Sequence, residues 1–107
     1  GLLTLLRLGK HKEYCIRNYS SGLSLTAVYT KNSFKVTQTV FNCSPDQRWK
    51  FIFLKDQTYL IQSVANNEYY LGCNNDRGGS PVGLVQDRLK GHWVVEGCQP
   101  SKVAEKA

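Results

Sequence analysis

Short apolar stretches punctuated by turn-forming residues run the length of this chain. Stretches 14–17, 23–28, 34–40, 49–54, 59–64, 69–73, 81–86 and 93–96 are rich in aromatic and β-branched residues, the composition of strands. Asn, Gly, Ser, Asp and Pro collect between them, at 18–22, 31–33, 42–46, 56–57, 66–67, 74–80 and Gly91. The pattern predicts eight strands spaced by roughly eight to twelve residues, as in sandwiches and barrels. No stretch has helical spacing of apolar positions. The apolar segment 2–8 fits a signal remnant, a lipid-facing strip or a buried strand, of which the buried strand is favoured, and 102–107 reads as a polar tail that frays.

The strands fall into two copies of one pattern. Tyr14 and Ile16 match Tyr59 and Ile61, Leu25 matches Leu71, Val36 matches Val82, and Trp49 matches Trp93. Shifts of one or two residues bring these pairs into register. A period of about 45 residues implies one supersecondary unit used more than once, each copy too small to bury its own apolar face. The units run from about 14 to 54 and from about 59 to 96, inside a single domain spanning 1–107.

Composition narrows the class. A chain of 107 residues, 41% hydrophobic and 21% charged, is a folded domain and not a disordered one. No run of 18 apolar residues is present, so no helical transmembrane segment is expected. The chain begins at Gly1 and has no Met, which points to a processed or excised product such as one trimmed of a secretory signal. Cys15, Cys43, Cys73 and Cys98 agree with an oxidising, extracellular setting and allow three disulfide pairings. They lack Cys-x-x-Cys spacing, and neither histidine is near a cysteine in sequence, so no metal site is expected. Asn18-Tyr19-Ser20 and Asn42-Cys43-Ser44 are N-glycosylation sequons. The net charge of +6 is dispersed, without a block of five like charges, and argues for solubility and weak steering; no nucleic-acid partner is expected.

Gln47-Arg48-Trp49 closes the first unit. An indole is large enough to fill the middle of a small barrel, and its N–H needs a carbonyl partner there. The Gln47 amide can bond loop backbone and fix the strand's entry. With Ile16-Arg17-Asn18, Ser21-Gly22-Leu23-Ser24-Leu25, Val36-Thr37-Gln38 and Asn42, this text resembles the ricin B-type lectins, the Gln-x-Trp β-trefoils. The second unit is degenerate, with Gly91-His92-Trp93 in place of the motif.

The resemblance implies an all-β, β-trefoil-like fold built from four-strand units. Only two units are recognisable, so the trefoil is expected to be incomplete or completed by another chain, and an assembly is favoured. The resemblance also implies a secreted carbohydrate-binding, lectin-like protein, alone or as a binding subunit of a larger complex or toxin, with glycans or glycoproteins as partners and no cofactor. In this family an acidic residue after the Leu of the second strand grips sugar hydroxyls; Thr26 and Gly72 stand there instead. Gln38, Phe41, Asn42, Asp46 and Gln47, beside Thr26, form the candidate pocket of the first unit. Asn74 and Asp76 are the candidates of the second.

Two other classes compete. A protein-binding trefoil that has lost sugar recognition, alone or as a homo-oligomer or toxin subunit, is one. A small basic ribonuclease using His11 and His92 with Lys10, Lys12 or Lys90 is the other, but no motif brings its histidines together. No catalytic residue is assigned, and the expectation is a binding protein, not an enzyme.

Overall fold

The computed structural model describes residues 3–8, 12–31, 33–73, 82–86, 91–94 and 97–98. These form an all-β protein of ten strands: β1 Leu3–Leu8, β2 Glu13–Asn18, β3 Ser24–Thr30, β4 Ser33–Thr39, β5 Arg48–Phe53, β6 Tyr59–Ser63, β7 Tyr70–Cys73, β8 Val82–Val85, β9 Trp93–Val94 and β10 Gly97–Cys98. The helical pieces among the described residues are 3-10 and include two single turns, Pro45–Gln47 and Lys55–Gln57. The eight predicted strands are present with ends shifted by a residue or two. β10 was not foreseen, because two residues carry no readable alternation.

The two units are built alike. In the first, β2 pairs with β3 and with β5, and β3 pairs with β4. In the second, β6 pairs with β7 and with β9, and β7 pairs with β8. Registers repeat as well. Tyr14 lies opposite Trp49 as Tyr59 lies opposite Trp93, and Leu25 opposite Gln38 as Leu71 opposite Leu84. Each opening strand and its closing strand belong to a barrel wall, and each intervening hairpin folds across its end. β5 then joins β6, so that the closing strand of one unit pairs with the opening strand of the next.

That rule gives β1 its place. β1 pairs with β2 with Leu3 opposite Asn18 and Leu5 opposite Ile16, as β5 pairs with β6 with Trp49 opposite Ser63 and Phe51 opposite Ile61. β1 therefore sits where the closing strand of a third unit would sit, and Leu3 occupies the tryptophan position. β10 pairs with β9 with Cys98 opposite Trp93, the register of an opening strand of a third unit. This chain thus fills all six wall positions, while a third cap hairpin is not among the described residues, and no pairing among them joins β1 to β10.

The core is the shared interior of the two units: Ile16, Ala27, Trp49, Phe51, Ile61 and Leu71, with Tyr14, Leu25, Tyr29, Val36, Tyr59, Leu84 and Trp93 around it. Phe51 lies between the two opening tyrosines, edge-on to Tyr14 at 4.9 Å and stacked on Tyr59 at 5.7 Å. The expectation of a buried strand at 2–8 needs correction. The strand forms, but Leu5 is 53% exposed where its counterpart Phe51 is 8% exposed. Among the described residues β1 bonds only to β2, and none of them pairs with its other edge.

One tight turn opens the first hairpin. Asn18 and Leu23 close it through backbone bonds, the Asn18 side chain accepts from the Ser20 and Ser21 amides, and Gly22 takes φ +73°. That left-handed conformation is open to glycine at little cost.

Candidate functional site

Gln47 is buried, and its amide is fully used. Its Oε1 accepts from the Asn42 and Cys43 amides at 2.9 and 3.1 Å. Its Nε2 donates to the Val40 carbonyl at 2.8 Å and lies 3.0 and 3.2 Å from the hydroxyls of Thr39 and Thr26. One side chain therefore ties the end of β4 and the loop after it to the first hairpin. It holds Cys43 at φ +58°, a conformation that costs a non-glycine residue energy unless its surroundings impose it. Arg48 adds a second tie, donating from Nε to the Cys43 carbonyl at 2.9 Å.

Two of the predicted pocket residues therefore need correction. Gln47 and Thr26 are buried beneath the loop, at 1% and 5% exposure, with their polar atoms engaged. They are the frame of the site, and no surface remains on them for a ligand. The outward residues are Gln38, exposed on β4, and Phe41, Asn42 and Asp46 on the loop. The structure brings Asn42 and Asp46 together around Ser44: Asn42 Oδ1 accepts from the Ser44 amide, and the Asp46 carboxylate accepts from its hydroxyl. That engages the Asp46 carboxylate within its own turn. Gln38 forms no hydrogen bond with them among the described residues.

A residue missed from the sequence completes this wall. The Arg17 guanidinium lies over the Phe41 ring at 4.4 Å and donates from Nε to the Gly22 carbonyl at 3.1 Å. Stacking of that kind is favourable and covers one face of the ring. The signal in the sequence was faint: Arg17 is two residues beyond Cys15 on β2, hence on the same side of the strand. No carboxylate among the described residues pairs with Arg17 or Arg48.

The second unit keeps the anchor and lacks the brace. Trp93 donates its indole N–H to the Leu71 carbonyl at 3.1 Å, as Trp49 donates to Leu25 at 3.1 Å. Gly91 stands in the place of Gln47, and a Cβ there would lie 3.2 Å from the Tyr70 Cβ and 3.3 Å from the Leu71 carbonyl. The backbone has moved into the room a side chain would need. His92 is buried, and its Nδ1 has no hydrogen-bond partner among the described residues. That placement removes it from any surface acid–base pair. His11, Lys10, Lys90, Asn74 and Asp76 lie outside the described residues. No metal-binding cluster is present among those described, and no helix there is long and apolar enough to cross a membrane.

The cysteines are distributed unevenly. Cys15 on β2 and Cys43 on the braced loop have their sulfurs 3.4 Å apart as free thiols. Cys73 ends β7 and Cys98 ends β10. Burial, with the hydrogen bond to Cys43, pushes the Cys15 thiol up to about 12. Burial also raises the Tyr29 and Tyr59 phenols above their usual value.

Comparison with known proteins agrees with this geometry. The model of the ricin-type β-trefoil lectin domain-like family matches residues 4–85. Among solved structures, a designed three-fold symmetric protein, ThreeFoil, superposes with a TM-score of 0.65 at 20% identity, over 78% of this chain and 59% of that one. A GH43 β-1,3-galactosidase superposes with a TM-score of 0.68 at 18% identity, over 79% of this chain and 17% of its own. The chain thus spans less than two thirds of either. At these identities the likeness is one of fold. Comparison with curated proteins gives no match.

Proposed function

Because this chain belongs to the ricin-type β-trefoil lectin domain-like family, we propose that it is a carbohydrate-binding module whose contact wall is the braced loop of its first unit. The observation that supports this reading is the Gln47 frame, which holds Phe41 and Asn42 outward on a fixed backbone. A fixed loop loses little entropy when a ligand docks. A sugar ring would use the free edge of Phe41 and the amide of Asn42.

The chemistry of the wall favours a glycan bearing negative charge. Thr26 replaces the acidic grip and is buried, whereas Arg17 and Arg48 have no carboxylate partner among the described residues. Guanidinium groups suit carboxylate and sulfate esters, which accept two parallel bonds. We place the protein outside the cell, where such glycans occur, as a binding subunit and not an enzyme. A glycan array with free-sugar competition tests this. Binding to sulfated or uronate-bearing glycans, weakened by Phe41→Ala, Asn42→Ala and Arg17→Ala, is expected; a flat array rejects the reading.

A second reading, a protein-binding trefoil, is favoured by one observation. Leu5 and Leu6 are bare on β1, an edge strand of the kind that invites association. A flat array together with a dimer or hetero-complex lost on Leu5→Lys would select it.

A further inference from the structure

The geometry points to Cys15 and Cys43 as a disulfide site that locks the braced loop to the barrel wall. This settles on one of the three pairings open to four cysteines, and it stands whatever the loop binds. The sulfurs face each other at 3.4 Å across 28 residues of sequence. Bond formation closes that gap by about 1.4 Å, to the length of a disulfide. Neither backbone is free to drift away beforehand. Cys15 is central in β2, held between β1 and β5, opposite Leu6 and Arg48. Cys43 is fixed by Gln47 at its amide and by Arg48 at its carbonyl.

The pair is peculiar to the first unit. The register places Leu60 where Cys15 stands, and Leu60 is fully buried beneath the second unit. An apolar leucine fills the equivalent position, so burial alone does not call for a thiol here. The cysteine adds only its chemistry, at a point 3.4 Å from another thiol.

The order of events follows from access. Cys15 is fully buried, and burial together with its bond to Cys43 holds it protonated. Cys43 is half-buried and meets the oxidant first. Its thiolate attacks a small-molecule disulfide such as oxidised glutathione, forming a mixed disulfide and releasing one glutathione thiolate. Cys15 then attacks the Cys43 sulfur and gives up its proton as the second glutathione leaves. Two protein thiols are oxidised and one glutathione disulfide is reduced to two thiols.

Peptide mapping of the intact protein tests the site. After incubation with oxidised glutathione, the non-reduced tryptic digest should contain peptide 13–17 joined to peptide 36–48, two hydrogen masses below the sum of the two. Recovery of Cys15 bonded to Cys73 or Cys98 overturns the inference. So does recovery of Cys15 and Cys43 both as free thiols while the protein stays folded. The Tm should rise by about 10 °C or more on oxidation, and fall back on adding dithiothreitol. In Cys43→Ser the oxidant should leave the Tm where it was; a rise of equal size there overturns it. Cys43→Ala gives the same reading if the serine variant does not fold.

Discussion

In the first unit Trp49 and Gln47 act as a pair: the indole reaches the Leu25 carbonyl on the hairpin strand β3, and two residues earlier the amide gathers the loop. In the second, Trp93 makes the same bond to Leu71, but beside it stand Gly91 and His92, whose Nδ1 has no hydrogen-bond partner among the described residues. The tryptophan serves the barrel, which both units must share. The glutamine serves the loop and hairpin of its own unit. One unit can therefore lose its brace while the fold persists, and the loop that keeps it is the one suited to present a ligand surface. Burial follows the same division, since Trp49 is fully buried and Trp93 is half-exposed.

The comparison can be broken most severely at the indoles. Trp49→Ala should cost about 3–5 kcal/mol, since a large buried ring leaves a cavity. Trp93→Ala should cost about 1–3 kcal/mol, since less of its surface is withdrawn from water. Urea unfolding of both variants checks this, and a larger loss at Trp93 would contradict the ranking.

The brace comes next. Gln47→Ala leaves the Asn42 and Cys43 amides and the Val40 carbonyl without their partner, at about 2–3 kcal/mol in all. His92→Leu removes an unpartnered nitrogen and should change stability by less than about 1 kcal/mol. Equal costs at the two sites would erase the distinction drawn between the units.

Gly91→Ala sharpens it further. The new methyl meets Tyr70 and the Leu71 carbonyl at close range, so a loss of about 1–2 kcal/mol is expected from overpacking. A neutral result would show that the second loop retains room for a side chain.

The smallest effect concerns pH. Cys15 is raised from the ordinary 9.0 to about 12 in the folded, reduced protein. A raised acid favours folding while it stays protonated in both states, below pH 9. As pH climbs from 9 towards 12 the unfolded thiol ionises first and the stability is lost, by about 1 kcal/mol between pH 9 and 10. Denaturant titrations of reduced protein and of Cys15→Ala should diverge in that window; parallel curves would place Cys15 in water.

Much of the fold was legible in the sequence because its devices are local. Alternating apolar residues, turn-formers and the Tyr-x-Ile openings mark strands and units within a few residues of themselves. The equivalence of Trp49 and Trp93 was legible because both anchors recur in register. The site was harder to read. Gln47 is spent on Thr26, 21 residues away, and on Thr39, and that distance hid its burial beneath the loop. Arg17 reaches Phe41 from a neighbouring strand, and strand spacing names no partner across a sheet. The exposure of Leu5 depends on what covers β1, which composition cannot express. The four cysteines allow three pairings, and their spacing in sequence could not show that the Cys15 and Cys43 sulfurs lie 3.4 Å apart.

Hydrogen exchange of the wild-type protein, followed by NMR at the Asn42 and Cys43 amides and the two indole N–H groups, tests the central claim most directly. Protection of both loop amides, close to that of the Trp49 indole and greater than that of the Trp93 indole, is the predicted result. Exchange of Asn42 and Cys43 at the rate of an unstructured peptide would contradict a loop held by Gln47.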